Sequence, residues 1–258
     1  MKALLLDIET SPIIAHVWQL FDNNVALNQI QSDWHLLSFS AKWLGDSPDE
    51  IIYADQRHEK DISNDKKLLQ KVWKLLDKAD IVIGQNSKKF DIKKLNARFI
   101  LNGMQPPSSF RQIDTLQIAK KHFGFTSNKL AYMSSKLCTV YKKLEHKDFA
   151  GHEMWVECLK GNKKAWKAME KYNKWDVLSL EELYNKLIPW DQKINLNVYS
   201  DSLGSTCTCG TSNFIKNGSS YTNAGKFLRI KCKDCGAETR IKENLLSKEK
   251  RKSLRSSP

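Results

Sequence analysis

Short apolar runs alternate with helically spaced ones as far as residue 190. Residues 2–7 stay apolar until Asp7, the pattern of a buried strand that reaches a polar end. Residues 13–18 and 36–43 read as further strands, and 51–54 as another short one. Strands in succession, with no helix between them, predict an antiparallel opening to a sheet. The period then changes. Over residues 65–79, Leu68, Leu69, Val72, Leu75, Leu76 and Ala79 fall at helical spacing and predict an amphipathic helix. Residues 80–84 read as a short buried strand. Residues 91–101 read as a helix, with Gly103 just past its end and Pro106 and Pro107 beyond. Asp114 caps a predicted helix running to Lys121. Residues 129–137 form a short predicted helix and 163–187 a long one, stopped by Pro189.

Strands followed by helices, with a helix between two strands, indicate an α/β domain of about 190 residues. The polar stretch 195–205 lacks periodicity and marks a boundary. The expected organisation is a main domain over 1–194, a linker over 195–205, a small cysteine-bearing module over 206–245 and a basic, Ser-rich tail over 246–258 without structure.

Charge adds a partner class. The 258 residues carry a formal net charge of +13, and a chain this basic commonly meets a polyanion, most often nucleic acid. Residues 201–258 hold 12 Lys/Arg against 5 Asp/Glu; the preceding 200 hold 30 against 24. Charge density is therefore far higher toward the C-terminus. No apolar stretch approaches the roughly 18 residues of a membrane span, so no membrane partner is expected. Met1 and Lys2 are followed by an apolar run that soon reaches Asp7 and Glu9, unlike a secretory leader. A reducing, cytoplasmic setting follows, in which clustered cysteines point to a metal rather than to disulfides. The sequence does not specify an oligomeric state.

Three segments carry candidate chemistry. In Asp7-Ile8-Glu9-Thr10 the two acids project to one face of a strand. Side-by-side burial of two carboxylates is unfavourable without cations between them, although a solvated strand end shows the same pattern. In the segment from Gly84 to Asp91, Asp91 stands between a strand and a helix, where α/β sheets place their sites and where an aspartate also serves as a cap. In Tyr172-Asn173-Lys174-Trp175-Asp176 the first and last residues share a helix face, as a surface pair also would.

Taken in order, Asp7-x-Glu9, Asn86-x3-Phe90-Asp91 and Tyr172-x3-Asp176 resemble the three motifs of the DnaQ-like DEDD exonucleases of the ribonuclease-H-like superfamily. Tyr172 makes the chain similar to the tyrosine-type branch, shared with proofreading domains of DNA polymerases. The resemblance covers roughly residues 1–190. With Ile113-Asp114-Thr115-Leu116 and the C-terminal cysteines, the chain also resembles ribonuclease-H-like exonucleases of phages and bacteria, which would place it in a host cytoplasm.

The resemblance implies a mixed sheet flanked by helices and a 3′→5′ exonuclease acting on nucleic acid, with single-stranded DNA favoured and RNA open. It implies that Asp7, Glu9, Asp91 and Asp176 hold two Mg²⁺ or Mn²⁺ ions, hard cations that take oxygen ligands. Tyr172 would orient the attacking water; its ordinary pKa near 10 leaves activation to the ions. Thr10 and Asn86 would contact the terminal nucleotide. Phe90 reads as core packing, Asp114 as a helix cap rather than a ligand, and His146 and His152 as loop or surface residues. A non-catalytic nucleic-acid-binding or adaptor protein is the rival reading.

Cys207-Thr208-Cys209-Gly210 and Cys232-Lys233-Asp234-Cys235-Gly236 read as two knuckles of a zinc ribbon, supplying four thiolates to one structural Zn²⁺. The first departs from the usual two-residue spacing. Strands are expected near 213–216 and 226–231. Tyr221 and Phe227, interleaved with Lys216, Lys226, Arg229, Lys231 and Lys233, suit contact with a nucleic-acid strand, and protein docking stays open. Cys138 and Cys158 read as small apolar residues.

Overall fold

Alternation in one strand organises the first unit. The computed structural model describes residues 1–21, 24–144, 148–191, 195–199 and 204–255, so His146 lies outside the described residues. The chain divides into two units, Met1–Tyr184 and Asn185–Pro258.

In the first unit the strands are β1 (Ala3–Thr10), β2 (Ile14–Ala15), β3 (Ile30–Ser32), β4 (Leu36–Trp43), β5 (Ile52–Asp55), β6 (Ile81–Gly84) and β7 (Arg111–Asp114). Five of them form one mixed sheet in the order β5-β4-β1-β6-β7. β4 pairs antiparallel with β1 and with β5, as the opening pattern predicts, whereas β6 runs parallel to β1 and β7 parallel to β6. The helices are α1 (Lys66–Leu76), α2 (Asp91–Leu101), α3 (Thr115–His122), α4 (Leu130–Leu137), α5 (Glu153–Leu159) and α6 (Lys163–Leu187).

Leu4, Leu6 and Ile8 of β1 pack with Leu68, Leu69, Val72 and Leu76 of α1 and with Ile92, Leu95 and Phe99 of α2. Each such side chain contributes about 1.5–3 kcal/mol by leaving water. The intervening Leu5, Asp7 and Glu9 therefore face the other side of the sheet. Around Leu37 of β4, Met154 and Cys158 of α5 pack with Trp166 and Met169 of α6. Both lone cysteines, Cys138 and Cys158, are buried as expected.

Three expectations change. Only Ile14 and Ala15 of the run 13–18 pair as a strand, and Trp18 is 98% exposed. Its partner β3 is three residues long and no layer covers the run, so its hydrophobicity does not translate into burial. Phe90 is 39% exposed rather than core, because α2 starts immediately after it and turns its ring outward. β7 and α5 are additions, being too short or too polar to show a period.

The second unit holds an antiparallel sheet of β8 (Phe214–Thr222), β9 (Gly225–Cys232) and β10 (Glu238–Asn244), in the order β10-β9-β8. Ser247 caps one further turn, α7 (Lys248–Lys252), in the stretch whose composition predicts no structure. Of the expected linker, Leu196–Tyr199 form a 3-10 turn. No helix among the described residues is long and apolar enough to cross a membrane.

Candidate active site and cysteine cluster

β1 delivers Asp7 and Glu9 to one face, and α6 delivers Asp176 to meet them. Carboxylate oxygens of the three lie within 4.8 Å of one another. Asp91 opens α2 and is buried, with its Oδ1 accepting the Ile8 N–H at 3.1 Å. The acid of the second segment is thus fastened to the strand between the two acids of the first.

This concentration of carboxyls in a dry place raises their proton affinity. Burial first, then the charge of Asp176, pushes Glu9 up to about 8. Burial pushes Asp91 up to about 7. Asp7 rises for the same reason, reinforced by Asp176, Glu9 and Asp91. Asp176 also rises on burial, opposed by Lys143 and by a hydrogen bond from Tyr172.

Three residues that the motifs do not mark complete the site. Lys143 Nζ pairs with Asp176 Oδ2 and lies 4.4 Å from the centre of the Tyr172 ring. Trp155 Nε1 donates to Glu9 Oε2 at 2.9 Å, and its ring meets Tyr172 edge-on at 6.0 Å. Asn173, fully buried, donates to Asp7 Oδ2 at 2.6 Å and accepts from Ser38 Oγ at 3.2 Å. Asn173 sits inside the Tyr172-x3-Asp176 segment, where the sequence shows it only as a spacer. Burial pushes the Tyr172 hydroxyl upward, so it stays protonated.

Thr10 ends β1 at a register shift and lines a cavity of about 380 Å³ with Ser11, Pro12, Gly151, His152 and Trp155. Asn86 adopts φ 62°, alone among the described non-glycine residues in the left-handed region. Asp114 explains how it is held. Its Oδ1 accepts the N–H of Asn86 at 2.9 Å and of Leu116 at 3.0 Å, and its Oδ2 accepts that of Lys88 at 3.3 Å. The expected helix cap therefore also clamps the loop leading to Asp91. Gly84 starts that loop where a Cβ would lie 2.4 Å from Cβ of Ser87.

A family model of the RNase_H superfamily, RNase_H_2, matches residues 39–188. The chain belongs to the RNase H superfamily. The matched stretch contains Asp91, Tyr172 and Asp176, while Asp7 and Glu9 precede it. Among solved structures, this RNase H-superfamily chain is similar to the family B DNA polymerase from the hyperthermophilic archaeon Pyrobaculum calidifontis. The identity is 15%, the TM-score 0.51, and the match covers 73% of this chain and 25% of the polymerase chain. At that identity the similarity is one of fold, and it spans about a quarter of the polymerase's length. A search of curated proteins finds no match.

In the second unit of the superfamily member, sulfur atoms of Cys207, Cys209, Cys232 and Cys235 converge within 4.8 Å. Cys207 and Cys235 sulfurs are 3.4 Å apart, and those of Cys209 and Cys232 are 3.7 Å apart. The shorter first knuckle closes because Gly210 takes φ 93° and donates to Cys207 O at 2.9 Å. Four sulfurs at these distances suit one tetrahedral ion.

Proposed function

We propose that the chain is a divalent-metal-dependent 3′→5′ exonuclease of the DnaQ-like, tyrosine-type DEDD branch, acting on single-stranded DNA. The observation that carries this reading is the convergence of Asp7, Glu9 and Asp176, with Asp91 fastened to the same strand. Membership of the RNase H superfamily and the polymerase-like fold support a nuclease. Resemblance supports a phage origin and a host cytoplasm, and composition and periodicity support the limits 1–194, 195–205, 206–245 and 246–258 for nuclease domain, linker, ribbon and basic tail.

The acidic residues fit Mg²⁺ or Mn²⁺. They offer oxygen donors only, and Asp176 Oδ1 is buried with no hydrogen-bond partner. The Lys143 ammonium already stands where positive charge is needed. Two such ions, when bound, supply a Lewis-acidic clamp on the attacking water and the leaving 3′ oxygen of an in-line displacement.

The remaining roles belong to the protein. Asn173 and Trp155 orient Asp7 and Glu9. Tyr172, protonated and beside Asp176, positions a water through its hydroxyl and does not serve as its base. Thr10 and Asn86 hold the terminal nucleotide, Thr10 from the wall of the cavity beside Glu9. In the second unit the four cysteines hold one Zn²⁺, which supplies folding energy to a module with a small core.

The test is incubation with 5′-labelled single- and double-stranded DNA and RNA, with Mg²⁺, Mn²⁺ or chelator. Stepwise shortening of single-stranded DNA from its 3′ end, abolished by chelator, is expected. Shortening of RNA alone would make the enzyme an exoribonuclease. Tight binding with no cleavage under any metal would leave a non-catalytic binder.

A further inference from the structure

The second unit has two unlike sheet faces. Residues directly opposite across a ladder share a face. Phe214 lies opposite Cys232, and both pack into the cysteine cluster with Cys207, Cys235 and Ala237. One step along β9 the side chains alternate. Arg229 lies opposite Arg240, Lys231 opposite Ile215 and Glu238, and Phe227 two residues from Arg229 on the same side. This second face is turned to solvent: Lys231 and Arg240 are exposed, and so is Ile215.

Its side chains are also arranged. The Arg240 guanidinium lies 4.3 Å from the centre of the Phe227 ring. Arg229 Nε donates to Asn217 O at 2.7 Å, at a bulge where Gly218 takes φ 76° and the register of β8 shifts. Three cations thus share a face with one aromatic ring, and Glu238 is the one carboxylate among these residues.

We infer that this outer face of β8–β9–β10 binds a single strand of nucleic acid, stacking a base on the Arg240–Phe227 pair and meeting phosphates with Arg229 and Lys231. A guanidinium laid on a ring presents a second flat surface, and bases stack on aromatic rings and on arginine planes alike. Three cations against one carboxylate complement a phosphate backbone, which is the observation that favours a nucleic-acid strand. The ligand class rests on the nuclease reading, but the binding does not depend on cleavage.

The experiment uses the full chain with stoichiometric Zn²⁺ and without Mg²⁺ or Mn²⁺, so that the cysteine module stays folded and no strand is cut. Anisotropy of labelled oligo(dT) and oligo(U) of about twenty nucleotides is followed across a salt series. Phe227→Ala is expected to weaken binding about tenfold with an unchanged salt slope, and Phe227→Tyr to restore it. Arg229→Gln and Lys231→Gln are each expected to lower the slope of log affinity against log salt by about 0.7. Thermal melts and thiol titration matching the parent identify variants that remain folded. Parent-like affinity and slope in folded Arg229→Gln and Lys231→Gln would overturn the inference. So would a loss confined to Tyr221→Ala and Lys226→Gln, which belong to the opposite face. The readout is binding without cleavage, so a chain that binds but never cleaves would count against the nuclease reading alone.

Discussion

At the site, like charges are brought together and held by neighbours, which ties stability to pH and metal. Glu9 moves from an ordinary 4.5 up to about 8, and Asp91 from 3.8 up to about 7. A carboxyl raised on folding binds more protons in the folded chain than in the unfolded one, so metal-free stability falls as pH rises through that window. Without added Mg²⁺ or Mn²⁺, and with zinc retained, the Tm is expected to drop between about pH 5 and about pH 8, and Mg²⁺ to recover it by binding the folded state. Asp7→Asn is expected to flatten the pH dependence and shrink the Mg²⁺ effect. A metal-free Tm that climbs over that range would contradict the electrostatics. On the proposed reading, catalysis rests on the same residues. Losing a metal ligand costs more than losing one of its supports, so Asp7→Asn and Asp176→Asn are expected to slow turnover by more than about a hundredfold while the fold persists. Tyr172→Phe is expected to slow it by about a hundredfold at nearly constant KM, the mark of a water-positioning hydroxyl. A raised KM with normal turnover would make Tyr172 a substrate contact instead.

At the scale of elements, the corner between β7 and α3 governs the loop between β6 and α2. Asp114 satisfies three half-buried backbone N–H groups there, and leaving one unpaired costs up to about 1–3 kcal/mol, the range for a fully buried group. Asp114→Ala is therefore expected to lower the Tm and, by loosening Asn86 and Asp91, to raise KM; Asp114→Asn is expected to recover part of both. Position 86 separates backbone from side chain. Asn86→Gly keeps the left-handed backbone free of strain and removes only the amide, so KM should rise while the Tm holds. Asn86→Ala adds a strained φ, at about 1–3 kcal/mol, and should lower the Tm as well. A parent-like KM in Asn86→Gly would remove Asn86 from the substrate contacts. The elements that carry these residues are unevenly legible in the sequence. β1, β4, α2 and α6 show clear apolar patterns and appear near the expected limits. β7 offers Ile113 as its lone apolar residue among Arg111, Gln112 and Asp114, so no period could reveal it. The acidic positions stand out through their spacing within short segments. Lys143 and Trp155 do not, because they reach Asp176 and Glu9 across 33 and 146 residues of chain, and only tertiary packing brings such distant positions together.

For the whole molecule, the distribution of charge separates chemistry from grip. No Lys or Arg stands between Lys2 and Lys42, the stretch that carries Asp7, Glu9 and Thr10. A site built on carboxylates repels phosphate until cations arrive, so affinity for a polyanion must come from elsewhere in the chain. Residues 201–258 carry a net +7 and none of the residues assigned to chemistry. Ending the chain after residue 200 is expected to leave the first unit folded, because its buried cores and all four acids lie upstream. Non-specific affinity should weaken, and the salt slope should fall by about 0.7 for each phosphate that the shortened chain no longer neutralises. Single-turnover cleavage of a saturating short strand should persist. On the proposed reading, removing zinc from the full chain, with Mg²⁺ then restored, should reproduce the loss of affinity, since a thiolate-bound ion would hold the small sheet in shape. Binding curves at low and moderate salt, beside single-turnover rates, check each step. Equal affinities and equal slopes for the two chains would deny the tail any hold on nucleic acid. Loss of single-turnover chemistry in a well-folded truncation would instead show that residues beyond 200 help to build the active site.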